Sequence, residues 1–210
     1  MSFIALIDYG MGNLLSVSKA LEHVGGDIHI VDKAKDIAGA SAIMLPGVGN
    51  FGDGMENLSS RGFVQPVLDF IASGRPLFGI CLGMQMLLEE SEEAPGVKGL
   101  GVFKGKVVRF PECGEKVPHM GWNSIVAGTP RSPFLKDIAD GSFFYFVHSY
   151  YAAPEDKTVI AATSNYILPF AAALGRGNVF ATQFHPEKSQ DKGLTLLGNF
   201  VAASKNAVKI

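Results

Sequence analysis

Short apolar runs alternate with stretches of helical character through the first half of the chain. Strands are predicted at Phe3–Asp8, Asp27–Val31, Ala42–Leu45 and Leu77–Ile80, and helices at Asn13–His23, Phe63–Ser73 and Leu82–Glu90. Strands joined by helices require right-handed crossovers, which make the strands parallel and place helices on both faces of the sheet. The alternation therefore predicts an α/β fold with a mostly parallel central sheet and flanking helices.

The second half of the chain consists of shorter strand-like runs separated by Gly, Pro, Asn and Asp. These runs are Val102–Phe110, Trp122–Val126, Phe143–Tyr151, Val159–Ala162, Phe170–Leu174 and Val179–Phe184. Such spacing predicts antiparallel strands added to the parallel sheet. The last segment, Leu194–Ser204, carries its apolar residues on one helical stripe and should pack back on the sheet.

The composition indicates one globular domain that does not bind nucleic acid. The 210 residues contain no internal repeat or linker, which predicts a single domain spanning residues 1–210. A content of 47% hydrophobic and 18% charged residues is typical of a folded protein and not of a disordered one. The formal net charge of -2 leaves no basic field that would attract a phosphate backbone.

The N-terminal apolar run and the cysteine content both indicate a cytoplasmic protein. The run ends at Asp8, so it is too short for a membrane span or a secretory signal, and no basic segment precedes it. The two cysteines, Cys81 and Cys113, should stay free in the reducing cytosol. A free thiol is a potential nucleophile, so each cysteine is considered as one.

Cys81 lies between a predicted strand and a predicted helix, in the pattern G-x-C-x-G formed with Gly79 and Gly83. This is the thiol form of the nucleophile elbow, a sharp turn that lifts the nucleophile above the sheet. The glycines are expected because side chains there would clash with neighbouring backbone. The start of a helix stabilises a thiolate, and the N–H of Leu82 points to where an oxyanion would form.

His185 is the histidine best placed to serve as a base. It follows an apolar run and precedes Pro186, which holds the preceding residue extended. In an extended chain, residues two apart point to the same side, so Glu187 can reach the imidazole. A carboxylate that orients the base is the third member of a catalytic triad, which predicts Cys81, His185 and Glu187 as that triad.

Each of these features also has an ordinary structural interpretation. A free cysteine is most often a buried apolar residue, and a His-Pro-Glu stretch is most often a solvated loop. The two features favour catalysis together, because both follow strands at the end of the sheet where α/β proteins bind ligands. Cys113 is flanked by Glu112 and Glu115, whose charges disfavour a thiolate, so we expect it to be a spectator.

Two glycine-rich stretches follow predicted strands. The first, at 8–13, lacks the third glycine of a dinucleotide fingerprint because Leu15 stands at that position. The second, at 46–54, is interpreted either as a loop that lines the substrate site and provides an oxyanion N–H, or as a plain connection. No cofactor and no metal site are predicted.

Three stretches resemble one enzyme family in order and separation. They are Pro46–Gly49, Gly79–Gln85 and Phe184–Lys188, and they resemble the triad-type (class I) glutamine amidotransferases over nearly the whole chain. The resemblance implies that Cys81 attacks the side-chain amide of L-glutamine. It also implies oxyanion and substrate roles for a further set of residues, which are Val48, Gly49, Leu82, Gln85, Glu93, Ser149 and Tyr150.

Two further stretches, Pro118–Asn123 and Val147–Tyr151, resemble one branch of that family, the glutaminase subunits of imidazole glycerol phosphate synthases of histidine biosynthesis. This implies a partner, a separate (β/α)8-barrel cyclase subunit that consumes the ammonia. The residues predicted to face that partner are Asn13, Met120, Trp122, Asn123 and Lys188. Two alternatives stay open, namely the glutaminase subunit of another synthase, such as the anthranilate type, and a catalytically silent α/β binding module.

Overall fold

Strands and helices alternate through the first half of the computed structural model, which describes residues 3–206. They are β1 (Ile4–Ile7), α1 (Leu14–His23), β2 (Ile28–Val31), β3 (Ala42–Leu45), α2 (Phe51–Ser60), α3 (Val64–Ala72), β4 (Leu77–Ile80), α4 (Leu82–Gln85) and β5 (Glu90–Ser91). The second half adds β6 (Gly105–Arg109), β7 (His119–Ser124), β8 (Val126–Ala127), β9 (Phe143–His148), β10 (Tyr150–Pro154), β11 (Ile160–Tyr166), β12 (Leu168–Arg176), β13 (Val179–Thr182) and α5 (Gln190–Asn206).

The strands of residues 3–206 form an 11-stranded sheet whose main path is β2-β1-β3-β4-β13-β12-β10-β6-β5. Neighbours from β2 to β13 along this path are parallel. The pairs β13-β12, β12-β10 and β10-β6 are antiparallel. Strands β7 and β9 form a separate 2-stranded antiparallel sheet. The predicted α/β fold with antiparallel additions in the second half is confirmed.

The parallel strands are buried on both faces, as helices on both sides of a sheet require. In β1, Ala5 and Ile7 pack into one apolar core while Ile4 and Leu6 pack into the other. Helix α5 covers the face of the sheet that carries Ile4 and Leu6, and its buried residues include Phe200. The predicted packing of the last helix against the sheet is therefore confirmed.

The stretch 46–54 is not entirely a loop. Asn50 ends the loop as the N-cap of α2, and its side chain accepts a hydrogen bond from the N–H of Asp53 at 2.9 Å. Phe51 begins the helix and is fully buried. Glycines at 52 and 54 obscured this helix in the sequence, because glycine lowers helix propensity while the cap and the buried face outweigh it.

The predicted helix Leu82–Glu90 is wrong beyond its first turn, since α4 ends at Gln85. The carbonyls of the next residues bond to a crossing segment instead of continuing the helix. The N–H of Leu100 donates to the Met86 carbonyl at 2.8 Å, and the N–H of Phe103 donates to the Leu87 carbonyl at 3.0 Å. These partners replace the helical hydrogen bonds that a regular helix would form.

Two strand predictions in the second half need correction. The run Phe143–Tyr151 is not one strand, because the chain leaves the small sheet after β9 and enters the main sheet as β10. The run Trp122–Val126 is likewise split between β7 and β8, and β7 begins earlier, at His119. In both cases successive apolar residues serve different sheets, which the alternation pattern alone does not reveal.

None of the helices formed by residues 3–206 combines the length and apolar character that crossing a membrane requires.

Candidate active site

Cys81 occupies a strained turn between β4 and α4, with φ 52° and ψ -105°. Residues other than glycine rarely adopt this backbone conformation, so the surrounding structure must enforce it. The N–H of Cys81 donates to the Thr182 carbonyl on the adjacent strand at 2.7 Å. A Cβ on Gly83 would lie 2.0 Å from the Leu45 carbonyl oxygen, and one on Gly79 would lie 3.0 Å from the Gly83 carbonyl. The flanking glycines are thus required by backbone contacts, as expected.

His185 lies just after β13 and begins a 3-10 turn formed by Pro186–Lys188. Its Nδ1 is 2.8 Å from Oε1 of Glu187, and the two side chains are only 1% and 2% exposed. Because a carboxylate only accepts hydrogen bonds, Nδ1 carries a hydrogen. Nε2 is buried and has no hydrogen-bond partner within residues 3–206, so this nitrogen is left for proton transfer. The pair has the geometry of a base oriented by a carboxylate.

The charge state of His185 depends on its two neighbours. Burial by itself lowers the pKa of His185, but the adjacent Cys81 and Glu187 outweigh burial and raise that pKa to about 10. Both side chains therefore lie within electrostatic reach of the imidazole. An imidazolium beside a thiol favours the thiolate, which is the nucleophilic form of cysteine.

The turn that carries His185 is held from two sides. The Ser189 hydroxyl donates to the His185 carbonyl at 2.6 Å and accepts from the N–H of Tyr145 at 3.0 Å. The N–H of His185 donates to the Tyr145 carbonyl at 2.9 Å. Helix α5 approaches so closely that a Cβ on Gly193 would lie 1.9 Å from the Pro186 carbonyl oxygen. These contacts fix the imidazole relative to the sheet.

Cys81 and His185 line one cavity of about 300 Å³. The structure brings most of the predicted oxyanion and substrate residues to its walls, which include Val48, Gly49, Gln85, Glu93, Ser149 and Tyr150. Leu82 is the exception, because its side chain is buried beneath the turn. Leu82 begins α4, so it can contribute only a backbone N–H of the first helical turn.

The loop 46–49 packs against the start of α4 and is not a free connection. The Tyr9 hydroxyl, fully buried, donates to the Pro46 carbonyl at 2.8 Å. A Cβ on Gly47 would lie 2.4 Å from that hydroxyl oxygen and 2.8 Å from the Cβ of Leu82. Gly49 adopts φ 104°, a conformation that favours glycine. The loop thereby reaches the cavity beside Cys81.

Gln183 is a site residue that sequence reasoning missed. Its amide nitrogen lies 3.6 Å from the Cys81 sulfur, and its amide oxygen accepts from Nε2 of Gln85 at 3.1 Å. The side chain is fully buried. The available signal was its position, because Gln183 follows β13 directly and precedes the predicted base His185 by two positions. His148 also lines the cavity, although no site role was predicted for it from the sequence.

The residues predicted to face a partner lie on the surface or close to it. Met120 and Trp122 project from the same side of β7 and are 64% and 47% exposed. Trp122 is therefore not a core residue of this chain. Asn13 caps α1 and is exposed, Lys188 is exposed in the turn after His185, and Asn123 is half-buried.

Cys113 is exposed and does not line the cavity. Within residues 3–206, no group of three or more His, Cys, Asp or Glu side chains is arranged to hold a metal ion.

Solved structures with low sequence identity share this fold. A structure described as a glutamine amidotransferase superposes with a TM-score of 0.75 at 21% identity, covering 96% of this chain and 98% of that chain. The glutaminase domain of CTPS from Trypanosoma brucei superposes with a TM-score of 0.72 at 19% identity, covering 98% of this chain and 94% of that one.

Sequence comparison is more specific. Residues 5–203 match the family described as "Glutamine amidotransferase class-I". "Imidazole glycerol phosphate synthase subunit HisH" of Syntrophotalea carbinolica is 52% identical over 203 residues, covering 94% of this chain and 98% of the relative. The protein of the same name from Acinetobacter baylyi is 50% identical over 202 residues, covering 96% of this chain and 98% of the relative. The chain therefore belongs to the class I glutamine amidotransferase family, in the branch of the imidazole glycerol phosphate synthase subunits HisH.

Proposed function

We propose that the chain hydrolyses L-glutamine to glutamate and ammonia through a thioester on Cys81, and that Cys81, His185 and Glu187 are its catalytic triad. The observation that carries the proposal is the buried contact of 2.8 Å between His185 and Glu187, which orients the imidazole beside the cysteine in the strained turn. This is the nucleophile–base–orienter arrangement of covalent amide hydrolysis.

The reaction proceeds in two stages. In the first, the Cys81 thiolate bonds to the amide carbon, the C–N bond breaks, and His185 gives the proton on Nε2 to the departing ammonia. In the second, His185 takes a proton from water, which attacks the thioester carbon and breaks the C–S bond. Glutamate leaves and the thiolate is restored. Each stage passes through an oxyanion, which the backbone N–H of Leu82 and an N–H of the 46–49 loop, at Val48 or Gly49, stabilise.

The cavity walls suit the polar ends of glutamine. The Glu93 carboxylate accepts from the N–H of Phe51 at 2.8 Å, and its charge complements the α-ammonium group of the substrate. Gln85 uses its amide nitrogen within the protein and keeps its oxygen for the substrate. Ser149 and Tyr150 complete the wall at the junction of β9 and β10.

The ammonia is delivered to the cyclase subunit of imidazole glycerol phosphate synthase, a (β/α)8 barrel that docks on the face containing Asn13, Met120, Trp122, Asn123 and Lys188. The pair functions in histidine biosynthesis. The site of action is the cytoplasm, where both cysteines stay free. Support for this partner comes from the HisH relatives at about half identity and from the exposed apolar side chains on β7.

The substitution Cys81→Ser separates glutamine hydrolysis from synthesis. A serine hydroxyl is barely ionised near neutral pH, so glutamine-dependent turnover of the complex with its cyclase should fall by roughly three orders of magnitude or more. Turnover with an ammonium salt at alkaline pH should stay near the wild-type rate, because side-chain size hardly changes and the partner needs only ammonia. Both rates are measured on the same preparation.

Cys113→Ser is the matched control and should keep both activities. Glutamine-dependent turnover near the wild-type rate in Cys81→Ser would exclude Cys81 as the nucleophile. Loss of ammonium-dependent turnover from an intact complex would show that the chain does more than make ammonia. A wild-type chain that releases no glutamate in the complex would instead favour the silent binding module.

A further inference from the structure

A continuous line of hydrogen bonds runs from β7 to the proposed nucleophile. Its members in order are Asn123, His119, His148, the backbone carbonyl of Tyr150, Gln85, Gln183 and Cys81. The distances from Asn123 to His119, from His119 to His148 and from His148 to the Tyr150 oxygen are 3.3, 3.0 and 2.8 Å. We call this line the relay. It joins the face proposed for the partner to the glutamine cavity.

The donors of the relay converge on the Tyr150 carbonyl, which accepts from His148 on one side and from Gln85 on the other, and this carbonyl sets the tautomers on the His148 side. The Tyr150 carbonyl can only accept, so Nδ1 of His148 carries a hydrogen and donates it. In a neutral ring, Nε2 of His148 must then accept, so Nδ1 of His119 donates to it. Nε2 of His119 accepts in turn from the amide nitrogen of Asn123. Both imidazoles are therefore assigned the Nδ1–H tautomer.

Burial keeps both rings neutral. His119 and His148 are 4% and 6% exposed. Burial lowers the pKa of His119 to about 4 and that of His148 to about 3, so neither ring is charged near neutral pH. His119 is also stacked between Phe146 and Tyr166, at ring-centre distances of 5.0 and 4.1 Å. The rings are thus held in place and can change only by moving a hydrogen from one nitrogen to the other.

The Asn123 amide has the orientation that this tautomer requires. Its amide nitrogen also donates to the Asn165 carbonyl at 3.0 Å, and its amide oxygen accepts from the N–H of Ser124 at 2.8 Å. If the amide turned its oxygen toward His119, both rings would have to carry the hydrogen on Nε2. A bare Nδ1 of His148 would then face the Tyr150 carbonyl, with two lone pairs opposed. Reversing one surface amide would thus break the contact at the cavity wall.

We propose that His119 and His148 are positioning residues, and that their shared tautomer transmits the orientation of the Asn123 amide to the wall of the glutamine cavity. The proposal rests on the proposed glutaminase function. Tyr150 and Gln85 are held for catalysis only in the Nδ1–H state. Asn123 is half-buried and follows Trp122 in β7, so a partner that shifts this strand can bias its amide, and docking and glutamine hydrolysis then share a two-state element.

His119→Phe tests the relay. The phenyl ring keeps the stack between Phe146 and Tyr166 and removes both ring nitrogens. In the complex with the cyclase, glutamine-dependent kcat should fall by roughly tenfold, in line with the usual size of coupling effects. Ammonium-dependent turnover and affinity for the cyclase should not change, since the side chain is buried. Tyr166→Phe is the packing control, because it keeps the ring that stacks on His119 and removes only the hydroxyl, which donates to the Lys116 carbonyl outside the relay. It should keep the glutamine-dependent rate.

Ring-nitrogen NMR on the 15N-histidine-labelled chain alone gives a readout that does not require activity. Wild type should show His119 and His148 as Nδ1–H tautomers. In His119→Phe, Nε2 of His148 loses its donor, so a mixture of both tautomers should appear. Asn123→Ala removes the outer donor together with the side-chain bonds of Asn123 to Asn165 and Ser124, and it should raise the share of the Nε2–H tautomer at His119. It provides a second test if the phenylalanine variant does not fold.

Nε2–H tautomers in the wild-type chain would overturn the relay. So would a His148 tautomer and a glutamine-dependent kcat that both stay unchanged in His119→Phe, or an equal loss of rate in Tyr166→Phe. Failure of the proposed function gives a different result. The wild-type complex would then show no glutamine-dependent turnover, while ring-nitrogen NMR of the chain alone would still test the two tautomers.

Discussion

At the scale of single residues, the proposed triad combines a cysteine in a strained turn, Cys81, with a buried histidine of raised pKa, His185. Cys81 is held at φ 52° by a backbone hydrogen bond and by two glycines that leave no room for side chains. Strain of this kind costs on the order of 1–3 kcal/mol and persists only where the surrounding structure over-determines it. The parallel strands on either side of the turn provide that constraint.

We expect the buried cysteine, Cys81, to react faster than the exposed one, Cys113. Cys81 is 8% exposed and Cys113 is exposed, so access alone favours Cys113. The imidazolium of His185 favours a thiolate at Cys81, and its pKa of about 10 preserves that charge over the neutral range. We expect iodoacetamide, a small primary amide, to alkylate Cys81 at least roughly tenfold faster than Cys113 at neutral pH.

Mass spectrometry of timed digests measures both rates in one sample. L-Glutamine should protect Cys81 and leave the rate at Cys113 unchanged. Faster reaction at Cys113 without any protection by glutamine would contradict the assignment of Cys81.

At the scale of elements, three adjacent parallel strands assemble the site. Strands β3, β4 and β13 are neighbours in the sheet, and each is followed directly by a part of the site. These parts are the 46–49 loop, Cys81 and His185. Because the strands run in the same direction, their carboxyl ends lie at one edge of the sheet, where α/β proteins place their ligands. The turn after β4 must also pass very close to β3.

That close approach makes Gly83 a sensitive position. In Gly83→Ala the new Cβ would lie 2.0 Å from the Leu45 carbonyl oxygen, so β3 and α4 would have to separate. The free energy of unfolding should fall by about 2–3 kcal/mol, the usual cost of overpacking. Glutaminase activity should be lost with it, because the elbow moves. Chemical denaturation followed by circular dichroism measures the change.

Gly198→Ala is the matched control within α5. The nearest atom to its new Cβ is the Cβ of Val24 at 3.9 Å, which is ordinary contact. Its stability should be unchanged or rise by up to about 1 kcal/mol, because alanine is the better helix former. Equal stability of the two variants would show that the approach of β3 to α4 is not tight.

At the scale of the whole molecule, the proposed catalytic cavity and the proposed docking face are neighbours. Strand β9 pairs with β7, which carries Met120 and Trp122, and it continues through Ser149 into the wall of the cavity. The small sheet therefore joins the exposed apolar side chains to the glutamine site. That residues 1–210 form a single domain stays a prediction.

Trp122→Ala should weaken association with the cyclase and leave the chain folded. Tryptophan side chains at interfaces often contribute 2 kcal/mol or more, so the Kd should rise by roughly thirtyfold. The side chain is 47% exposed in the isolated chain, which makes its contribution to stability small. Titration calorimetry gives the Kd, and thermal unfolding of the isolated variant gives its stability.

Ile30→Ala is the control, since Ile30 is 54% exposed on β2, an edge strand of the main sheet, whereas Trp122 lies in the small sheet. It should leave the Kd unchanged. A similar rise in Kd for both variants, or unfolding of Trp122→Ala without a separate binding defect, would argue against the proposed face.

The sequence by itself determined the α/β class, the elbow around Cys81 and the pairing of His185 with Glu187. The first two depend on local physics: apolar periodicity selects the element type, and glycines permit a close turn. The contact of His185 with Glu187 was predicted from extended chain, but a 3-10 turn at Pro186–Lys188 makes it instead, since neighbours two apart in a tight turn are also close.

Only the tertiary structure decided where α4 ends, where the run 143–151 changes sheets, and that two buried histidines bond to each other. In each case the deciding partner is distant in sequence. The N–H of Leu100 donates to the Met86 carbonyl, which would otherwise accept the next hydrogen bond of α4. The pairing of β9 with β7 places His148 opposite His119. A backbone group is satisfied equally well by a hydrogen bond to a distant segment and by a local one, so local sequence patterns cannot predict which of the two forms.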